Sequence, residues 1–489
     1  MHVHLVGVSG TGMGALAVLF REAGHDVSGS DTSFDPPIGP ALEAAGVRCQ
    51  KGFDPAHLEP VPDLIVVGNV IRRDNPEATA IRERGLEATS MSGALREVFL
   101  KGRRPVVVAG THGKTTTSAM CAWVLTCAEL DPGYFIGGLP KNFPSGAAIG
   151  STKRRLLGGG KPAPFVVEGD EYDAVYWHKQ PKFLDYVGVA DDDVVIVTSV
   201  ERDHIDIYPD DASYDAAFIA LAKATPKNGL IVCDAGQARA SRLMVENASA
   251  RVVFYALEGD DTGPHQPSWL GAPSTINPAG MQTFDLYAGG VSCGRFAMKS
   301  PGAHNVRNAV AAIAAAAEGF NVPITTGRTA MATFEGVRRR QDLLGEPGGV
   351  RVYDDFAHHP TAVTETLGAL RARHPAGKLF AVFEPRSATA CRSIHQEAYS
   401  HAFSAADRVL LAPLGRTNIP DAERLDLHKL ASTLGTKAEA SESVDAILAR
   451  VVAEARTGDT VALLSNGAFA GLHGRLLAAL SARAKASPP

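Results

Sequence analysis

Four residues that follow a short apolar strand could hold the phosphates of a nucleotide: Gly110, Gly113, Lys114 and Thr115, in the stretch AGTHGKTTTSAM. Glycines let backbone N–H groups point at phosphate oxygens, a lysine can reach the terminal phosphates, and a hydroxyl can ligate Mg²⁺. The common loop reads G-x-x-x-x-G-K-[ST], whereas this chain has Val108 where the first glycine would be. The pattern predicts a phosphate-binding loop that departs from the common spacing.

Metal ligands are expected at the ends of two later strands. FVVEGDEYD and VTSVERDHIDIY place six candidates just past an apolar run: Glu168, Asp170, Glu171, Asp203, His204 and Asp206. Ligands collect at the carboxyl ends of parallel strands, so these ends and the loop could converge on one site. We expect Glu168 and His204 to act there, because each closes an apolar strand in the same unit as the loop. Asp170, Asp173 and Asp206 are interpreted as ordinary exposed acids.

A second glycine-rich turn lies at the N-terminus, where Gly7, Gly10, Gly12 and Gly14 follow a strand and open a helix. Glycines at this place let a pyrophosphate sit at the helix N-terminus, and an acidic residue such as Asp31 could bind a ribose. The spacing is G-x-x-G-x-G-x-G, not the G-x-G-x-x-G of dinucleotide sites. Two interpretations of this turn therefore remain open: a binding site for a nucleotide with a diphosphate, and a tight turn that binds no ligand.

The elements that must position these residues alternate as strand, loop and helix along the chain. This alternation is typical of parallel α/β sheets, and the length favours roughly three domains. We place breaks near the basic KGRRP at 101–105 and near NVPITTG at 321–327. Two polar or glycine-rich segments, 151–164 and 259–280, are predicted to be surface loops or, for the second, a hairpin.

The composition excludes several classes of protein. The chain has 489 residues, of which 45% are hydrophobic and 21% charged, with a net charge of −5. These values are ordinary for a globular protein and do not favour nucleic acid or an anionic membrane as a partner. The start shows no signal peptide, and no apolar run is long enough to span a bilayer. Six scattered cysteines indicate free thiols in a reducing compartment, so we expect a cytoplasmic protein without membrane insertion.

Six short motifs occur in a recognisable order: AGTHGKTT, EGDEYD, RDHID, PGAHNVRNAVAA, FEGVRRR and DDFAHHPTAV. Together they resemble the Mur ligase family, the ATP-dependent amide-forming enzymes of peptidoglycan assembly. The family's loop is G-T-x-G-K-[ST], which this chain matches. The resemblance covers nearly the whole chain and implies a Rossmann-like UDP-sugar-binding domain at 1–103, a central P-loop ATP-binding domain at 104–323 and a Rossmann-like C-terminal domain at 324–489 for the acceptor.

The resemblance also implies roles for individual residues. Lys114 would neutralise the β- and γ-phosphates, Thr115 and Glu168 would hold one Mg²⁺, and His204 would help to hold a second. The other residues that it assigns to ATP are Gly110, Thr111, His112, Gly113, Thr116, His304, Asn305, Asn308, Arg340 and Asp355. Those that it assigns to the UDP-sugar are Gly10, Thr11, Gly12, Met13 and Asp31. We expect the acceptor to contact Arg386, Ser387, Thr389 and Asn466.

Some of these assignments compete with simpler ones. His112 could be only a polar spacer in the loop. Asn305 and Asn308 stand at a helix start, where asparagine is a good cap, and Arg386 could form a structural ion pair instead of binding a carboxylate of the acceptor. Arg338 and Arg339 stay unassigned, and Asp354 or His358 could share the role of Asp355.

Within the family, several segments are similar to the members that join UDP-N-acetylmuramic acid to the tripeptide L-alanyl-γ-D-glutamyl-meso-diaminopimelate. They are GVSGTGMG, VVGNVIRRDNPE, IGGLPKNF, VEGDEYDAVYWHKQPKF, VFEPRSAT and SNGAFAGLHGRLL. Members that use L-alanine usually carry a serine where this chain has Tyr172 and lack the EPRS-x-T segment. Departures from the family pattern are TSVERDHID, Gly169 and the segments 151–164 and 259–280, which leave the fine acceptor preference open.

Three alternatives remain at this stage. The first is the same reaction with L-alanine as the acceptor. The second is an NAD-dependent oxidoreductase built on the N-terminal glycines, and the third is a P-loop switch that binds a protein. We expect small-molecule substrates and a monomer or weak homodimer.

Overall fold

A computed structural model describes residues 1–36, 38–152, 162–416 and 418–486. It contains three α/β units that follow one another along the chain, each built on a sheet whose central strands are parallel. The prediction of a three-domain α/β protein with Rossmann-like outer units is confirmed. Within the described ranges, no helix is both long and apolar enough to cross a membrane.

The N-terminal unit is a five-stranded sheet in the order β3-β2-β1-β4-β5, with every neighbouring pair parallel. Its elements are β1 (His2–Val6), α1 (Thr11–Glu22), β2 (Asp26–Asp31), α2 (Ile38–Ala44), β3 (Arg48–Lys51), β4 (Leu64–Val67), α3 (Pro76–Glu83), β5 (Ala88–Ser90) and α4 (Met91–Ala94). The strand order changes direction between β1 and β4, and ligands of open α/β sheets bind at such a point. The glycine-rich turn after β1 lies there.

The central unit is a ten-stranded sheet in the order β17-β16-β15-β14-β13-β12-β6-β9-β7-β8. Its first elements are β6 (Arg104–Ala109), α5 (Lys114–Cys127), β7 (Gly133–Phe135), β8 (Ala147–Ala148), β9 (Pro164–Glu168), β10 (Asp173–Val175), β11 (His178–Pro181), α6 (Phe183–Tyr186), β12 (Val194–Val197) and α7 (Asp211–Ala224). The rest are β13 (Leu230–Asp234), α8 (Ala238–Asn247), β14 (Arg251–Leu257), β15 (Trp269–Ile276), β16 (Gln282–Ala288), β17 (Val291–Met298), α9 (Ala303–Phe320) and α10 (Ile324–Thr333).

The parallel strands at the centre of this sheet read as unbroken valine and isoleucine runs. β6 and β12 are buried along their whole length, because helices cover both faces of a parallel sheet. β6 lies between β12 and β9. The three strand ends predicted to converge are therefore neighbours, and the phosphate-binding loop lies between the two candidate metal-binding segments.

The C-terminal unit is a six-stranded sheet in the order β18-β19-β23-β20-β21-β22, parallel except for the edge pair β18–β19. Its elements are β18 (Asp342–Gly345), β19 (Arg351–Asp355), α11 (Pro360–Arg373), β20 (Leu379–Phe383), α12 (Gln396–Ala402), β21 (Arg408–Leu411), α13 (Leu427–Leu434), β22 (Ala438–Ala440), α14 (Val444–Glu454), β23 (Thr460–Leu464) and α15 (Leu472–Ala486).

The predicted hinge at 321–327 is wrong in its second half, because α10 begins there. Pro323 directly precedes the helix, a position that suits its fixed φ. The helix packs on the central unit, where Trp123 Nε1 of α5 donates a hydrogen bond to Thr333 Oγ1 over 3.0 Å. The predicted boundary at residue 324 assigned α10 to the third domain, whereas its contacts lie with the second.

The two predicted loop segments differ in outcome. Part of 259–280 is β15, which pairs with β14 in parallel and with β16 as an antiparallel hairpin. This segment therefore extends the sheet, and the prediction of a hairpin is confirmed for its second half. Of the segment 151–164, residues 153–161 lie outside the described ranges.

Candidate active site

The phosphate-binding loop depends on two glycines with positive φ. Gly110 has a φ of 129° and Gly113 a φ of 78°, values that L side chains rarely adopt. A Cβ atom on Gly110 would lie 2.2 Å from Thr198 Oγ1, and one on Gly113 would lie 2.5 Å from Asn308 Oδ1. Glycine is therefore required at both positions, because of the backbone conformation and because the side chains of Thr198 and Asn308 leave no room for a Cβ atom.

The loop is fixed to the end of the adjacent strand β12. Thr111 N donates to Ser199 O over 3.1 Å and His112 N donates to Ser199 Oγ over 3.0 Å. Thr198 Oγ1 donates in turn to His112 O. Because α5 starts at Lys114 and its first internal bond is Thr117 N to Gly113 O, the N–H groups at the helix start are left to bind an anion.

Lys114 is held inside the loop by a buried acid. Its Nζ atom lies 2.9 Å from each carboxylate oxygen of Glu171, and it also donates to Gly110 O over 2.6 Å. The Glu171 side chain is fully buried. Burial alone would lower the pKa of Lys114, but the Glu171 carboxylate more than offsets this and raises it. The lysine is therefore a fixed cation.

Thr115 and Glu168 form the oxygen pair that was predicted for Mg²⁺. Thr115 Oγ1 donates to Glu168 Oε1 over 2.8 Å, and Gly137 N donates to Glu168 Oε2 over 2.6 Å. Arg340, from the segment that leads into the third sheet, donates to Thr115 Oγ1 over 3.3 Å. Two hard oxygen ligands at the loop fit Mg²⁺, which binds proteins through one or two such groups. Thr116 is buried beside them in α5.

His204 and its neighbours lie on the other side of the lysine. Its Nε2 atom is 3.8 Å from Glu171 Oε2, and its ring centroid is 4.4 Å from that of Tyr172. His204 has a φ of 53°. This backbone conformation costs energy for a residue other than glycine, and such residues cluster at functional sites. The backbone N–H of His204 donates to Asp203 Oδ1 over 2.7 Å.

Asp203 is buried with the histidines that surround it. Burial alone would raise the pKa of its carboxyl, but His204 and His358 together with a hydrogen bond from Thr389 hold the pKa well below its ordinary range. Thr389 was predicted to contact the acceptor. Its buried hydroxyl instead serves Asp203.

The residues predicted for the adenine side of ATP begin α9, as expected, but they do not cap it. Gly302 precedes the helix and provides no side-chain cap, and Asn305 Nδ2 donates to Pro301 O over 2.7 Å. The prediction of an asparagine cap is therefore wrong. Asn308 reaches the loop beside Gly113, which joins α9 to the phosphate end of the site.

Two residues link α9 to the third unit and to the central sheet. His304 Nε2 lies 3.1 Å from Gln341 Nε2. Arg307 Nη1 lies 3.0 Å from both oxygens of Asp234 and 2.7 Å from Asp260 Oδ2. The first contact joins the start of α9 to the segment 338–341, and the contacts of Arg307 join it to the end of β13 and to Asp260.

Asp355, at the end of β19, has a structural role that the sequence does not predict. Its Oδ2 atom accepts from Gln341 N over 2.7 Å and its Oδ1 atom accepts from Ala357 N over 2.8 Å. Burial raises the pKa of this carboxyl, opposed by the charge of Arg340. The aspartate thus holds the turn that carries Arg340, whose guanidinium also lies over the Phe356 ring.

The other candidates of the third unit pair within it. Arg339 donates to the carbonyls of Ser465 and Gly467, and its Nε lies 3.3 Å from Asp354. Arg338 lies 3.7 Å from Asp342 and is more than half exposed. Neither arginine faces the phosphate loop in these contacts.

The N-terminal glycine turn has the geometry of an anion site, with two corrections. α1 begins at Thr11, and Gly10 before it provides no side-chain cap. Met13, predicted to contact the UDP-sugar, is buried in the core of its unit. Asp31 accepts from Ser9 N over 2.8 Å and from Thr32 N over 2.7 Å, so its carboxylate already braces the turn.

Gly12 has a packing requirement in addition to any ligand. A Cβ atom there would lie 2.8 Å from Met91 Sδ. Thr11 and Gly12 line the same cavity of about 1110 Å³ as Lys114, His204 and Asn466. The cavity is wide enough for a nucleotide and a second substrate together, and it joins all three units.

Of the four predicted acceptor residues, Asn466 lines the cavity that contains Lys114, whereas Arg386, Ser387 and Thr389 are not among the described residues that line it. Arg386 is 46% exposed and its Nη1 lies 3.7 Å from Glu384 Oε1, while Ser387 Oγ accepts from Ala390 N over 3.0 Å. Asn466 lines the cavity, and its buried Oδ1 has no hydrogen-bond partner among the described residues. Among the residues that the structure describes, Asn466 Oδ1 is left as a free acceptor, whereas Ser387 supports its own turn.

Sequence reasoning missed the roles of several site residues. The sequence predicts no role for Glu171, which pairs with Lys114. It also predicts none for Glu201, which contacts His112 over 3.1 Å and Thr361 over 2.9 Å. Through Glu201, His112 is therefore joined to Thr361 of the third unit. The one available signal was that Glu201 follows an apolar strand end, as Glu168 does.

Three family models match this chain in consecutive segments. Residues 2–103 match the Mur ligase family catalytic domain, 108–316 match the Mur ligase middle domain, and 339–467 match the Mur ligase glutamate ligase domain.

Relatives and a solved structure agree with these matches. The chain is 34% identical over 488 residues, all of both proteins, to the UDP-N-acetylmuramate–L-alanyl-γ-D-glutamyl-meso-2,6-diaminoheptandioate ligase of Escherichia coli (strain K12). It is 34% identical over 472 residues to the UDP-N-acetylmuramate–L-alanine ligase of Roseiflexus castenholzii, covering 92% of both. The crystal structure of a murein peptide ligase from Psychrobacter arcticus superimposes with a TM-score of 0.72 at 32% identity, over 98% of this chain and 99% of that one. The chain belongs to the Mur ligase family.

Proposed function

We propose that this enzyme uses ATP to join the carboxylate of UDP-N-acetylmuramic acid to the free amine of L-alanyl-γ-D-glutamyl-meso-diaminopimelate, with release of ADP and phosphate. The observation that carries the proposal is one cavity lined by all three units, with Thr11 from the N-terminal unit, Lys114 from the central unit and Asn466 from the C-terminal unit. At the loop, Thr115 contacts Glu168 over 2.8 Å and Arg340, from the connection to the third unit, over 3.3 Å. A cavity bordered by three units suits a reaction with three substrates.

ATP is expected to bind with its phosphates on the loop 110–116 and its adenosine toward α9. The helix start supplies N–H donors and Lys114 supplies a fixed positive charge. Asn308 lies against the loop, and His304 and Asn305 lie one turn further along the cavity wall. Arg340 would add charge at the terminal phosphates, where it neutralises the transferred group.

Mg²⁺ would be held by Thr115 and Glu168, whose oxygens already lie within hydrogen-bond distance of each other. When bound, it would neutralise phosphate charge during transfer. His204 would assist a second ion, since its ring faces the same cavity. The lysine, the helix start and Arg340 position the phosphates from the protein side.

The reaction needs activation because an amine does not displace oxide from a carboxylate. An oxygen of the sugar's lactyl carboxylate attacks the γ-phosphorus, the bond from that phosphorus to the bridging oxygen breaks, and ADP leaves with the electron pair. The product is an acyl phosphate. The amine of the peptide then attacks the carbonyl carbon, phosphate leaves, and the amine nitrogen loses a proton. Catalysis of both steps rests on positioning and on charge neutralisation.

The UDP-sugar is expected to bind at the glycine turn of the N-terminal unit. The uncapped start of α1 at Thr11 can bind its pyrophosphate, and the cavity runs from Thr11 and Gly12 to Lys114. The sugar carboxylate can thus reach the loop while the nucleotide stays on the first unit. ATP and UDP-linked sugars are cytoplasmic metabolites, so we place the reaction in the cytoplasm.

Arg386 is our candidate for a carboxylate of the acceptor. Gly415 and Gly467 flank it so closely that a Cβ atom on Gly467 would lie 2.2 Å from Arg386 Cδ. Because the Arg386 side chain packs directly on the two glycines, its path is fixed. Its guanidinium N–H groups can donate hydrogen bonds to a carboxylate. Asn466 would contact the same peptide from the cavity wall. We propose the domain limits 1–103, 104–323 and 324–489 for the three binding functions, with the exception that α10 (Ile324–Thr333) packs on the central unit.

The preference for the tripeptide over L-alanine rests on sequence segments shared with the tripeptide ligases. Tyr172 is one of them, and its ring packs against His204 at the metal end of the site. An acceptor screen tests the choice, with phosphate release measured in the presence of ATP, Mg²⁺ and UDP-N-acetylmuramic acid. We expect release with the tripeptide and little with L-alanine. Phosphate release with L-alanine but not with the tripeptide would contradict the proposal and would favour an L-alanine ligase.

A further inference from the structure

Three side chains outside the proposed Mg²⁺ site bring their ligand atoms together where the central and C-terminal units meet. His112 Nε2 lies 3.1 Å from Glu201 Oε2, and His359 Nδ1 lies 3.8 Å from the same oxygen. All three ligand atoms are within 4.8 Å of one another. His112 belongs to the phosphate-binding loop, Glu201 follows β12, and His359 precedes α11, so three separate elements contribute one ligand each.

The chemistry of this set differs from that of the Mg²⁺ site. Two imidazoles and one carboxylate are ligands that suit Zn²⁺ and similar transition-metal ions, whereas Mg²⁺ prefers oxygen alone. Ligands about 2.0–2.1 Å from a tetrahedral ion lie about 3.3–3.5 Å from each other. The two distances to Glu201 are on either side of that value. The two imidazole nitrogens lie within 4.8 Å of each other, so small side-chain movements would complete the geometry.

Two of the three ligands also have the protonation that a metal ion requires. Burial lowers the pKa of His359 to about 3, so its ring is neutral at physiological pH. Burial alone would raise the pKa of the Glu201 carboxyl, but the hydrogen bond from His112 lowers it. Metal binding therefore displaces no proton from either residue, which favours affinity at neutral pH.

Outer contacts orient the ligands in the manner of known metal sites. Thr361 Oγ1 donates to Glu201 Oε2 over 2.9 Å. The His395 ring packs edge-on against His359 with 4.6 Å between centroids, and its buried Nε2 has no hydrogen-bond partner among the residues that the structure describes. A fourth nitrogen thus lies next to the cluster. One contact would be lost, since His359 Nδ1 accepts a long hydrogen bond from Thr361 N over 3.4 Å.

We propose that His112, Glu201 and His359 form a binding site for Zn²⁺ or a similar transition-metal ion, separate from the Mg²⁺ site. An ion there would join the phosphate-binding loop to the start of α11. It would therefore hold the central and C-terminal units in the arrangement seen here. The site is expected to select a divalent ion that prefers mixed nitrogen and oxygen ligands, such as Zn²⁺.

Calorimetric titration of Zn²⁺ into the full-length chain with excess Mg²⁺ tests the proposal. The background variant C49S removes an exposed cysteine that could bind zinc. We expect one equivalent of Zn²⁺ to bind and to raise the melting temperature. H359A and E201Q should each lose more affinity than the about 10–100-fold that outer-shell changes cost. T361A should fall within that smaller range.

H473A is the matched control, because His473 also pairs with an acid, Asp354, over 3.1 Å and has a similar exposure. It should bind Zn²⁺ as the background variant does. Circular dichroism and the melting temperature without zinc show whether each variant is folded. The proposal is overturned if the background variant shows no saturable binding in the presence of Mg²⁺. Equal affinity of folded H359A, folded E201Q and H473A would overturn it as well.

Discussion

Lys114 Nζ lies 2.9 Å from each carboxylate oxygen of Glu171, and the Glu171 side chain is fully buried. The lysine that is expected to meet phosphate is thus already neutralised by a carboxylate inside the loop. ATP must compete with this pair or add its charge beside it. The carbonyl oxygens of Gly110 and Thr111 accept further hydrogen bonds from the same ammonium group.

Breaking this pair from one side should destabilise the protein. E171Q keeps the shape of the side chain but leaves the Lys114 charge without its partner, which costs about 3–5 kcal/mol at a buried site. K114M/E171Q removes both charges and should recover much of that loss. Unfolding in urea, compared among wild type, K114M, E171Q and the double variant, measures the coupling. Additive effects of the two substitutions would show that the pair contributes nothing to stability.

Removal of the Thr115 hydroxyl should raise the Mg²⁺ requirement. T115A loses the oxygen that lies 2.8 Å from Glu168 Oε1, whereas T115S keeps it and serves as the control. We expect T115A to lose about 10²–10³-fold in kcat, the usual effect of one electrostatic contact to the transition state. Its half-maximal Mg²⁺ concentration should rise, and that of T115S should stay close to wild type. The same Mg²⁺ titration curve for T115A and wild type would contradict the assignment.

His374 should make stability depend on pH. Its Nε2 atom and the Tyr353 hydroxyl share a hydrogen bond of 2.9 Å. Burial, together with the charges of Arg351 and Arg373, lowers the pKa of His374 from 6.5 to about 4. The unfolded chain therefore binds a proton before the folded one does. The stabilisation is complete above the unfolded pKa and is lost as the pH falls from about 6.5 through about 4.

Urea unfolding of wild type and H374Q at about pH 7.5 and about pH 5 checks this sign. The wild type should lose more stability than H374Q between the two values. A histidine that became more stabilising at the lower pH would contradict the direction of the shift. The variant keeps a polar group near Tyr353, so the comparison isolates the titration.

Much of the fold follows from the sequence because its strands are unbroken apolar runs. VVVAG, FVVEGD and VVIVTSV became β6, β9 and β12, and the glycines of the loop mark positions that only glycine can occupy. The meeting of three strand ends followed from the parallel arrangement. These predictions depend on local pattern and on a general rule about sheets, so no knowledge of long-range contacts was needed.

The partners inside the site could not be read in the same way. Glu168, Asp170 and Glu171 follow one strand within four positions, and the turn geometry decides which carboxylate meets Lys114. The family resemblance assigns Met13 to the UDP-sugar, yet its side chain lies in the core of the N-terminal unit. His112 and Glu201 meet because they follow neighbouring strands of the central sheet, and His359 joins them only because the third unit packs on the central one. Such contacts depend on tertiary structure that periodicity does not encode.

Arg340 should link the third unit to the chemistry at the loop. Its guanidinium donates to Thr115 Oγ1 over 3.3 Å and lies over the Phe356 ring, 5.0 Å from its centroid. R340A should lower kcat/KM by about 10²-fold or more, because a charge at the transferred phosphoryl group is lost. R340K should recover only part, since lysine lacks the planar fork. R242A is the control, because Arg242 is 53% exposed, lies 3.5 Å from Asp215 and is not among the described residues that line the cavity. Steady-state kinetics of ATP-dependent phosphate release measure the difference, and equal activities of R340A and R242A would remove Arg340 from the site.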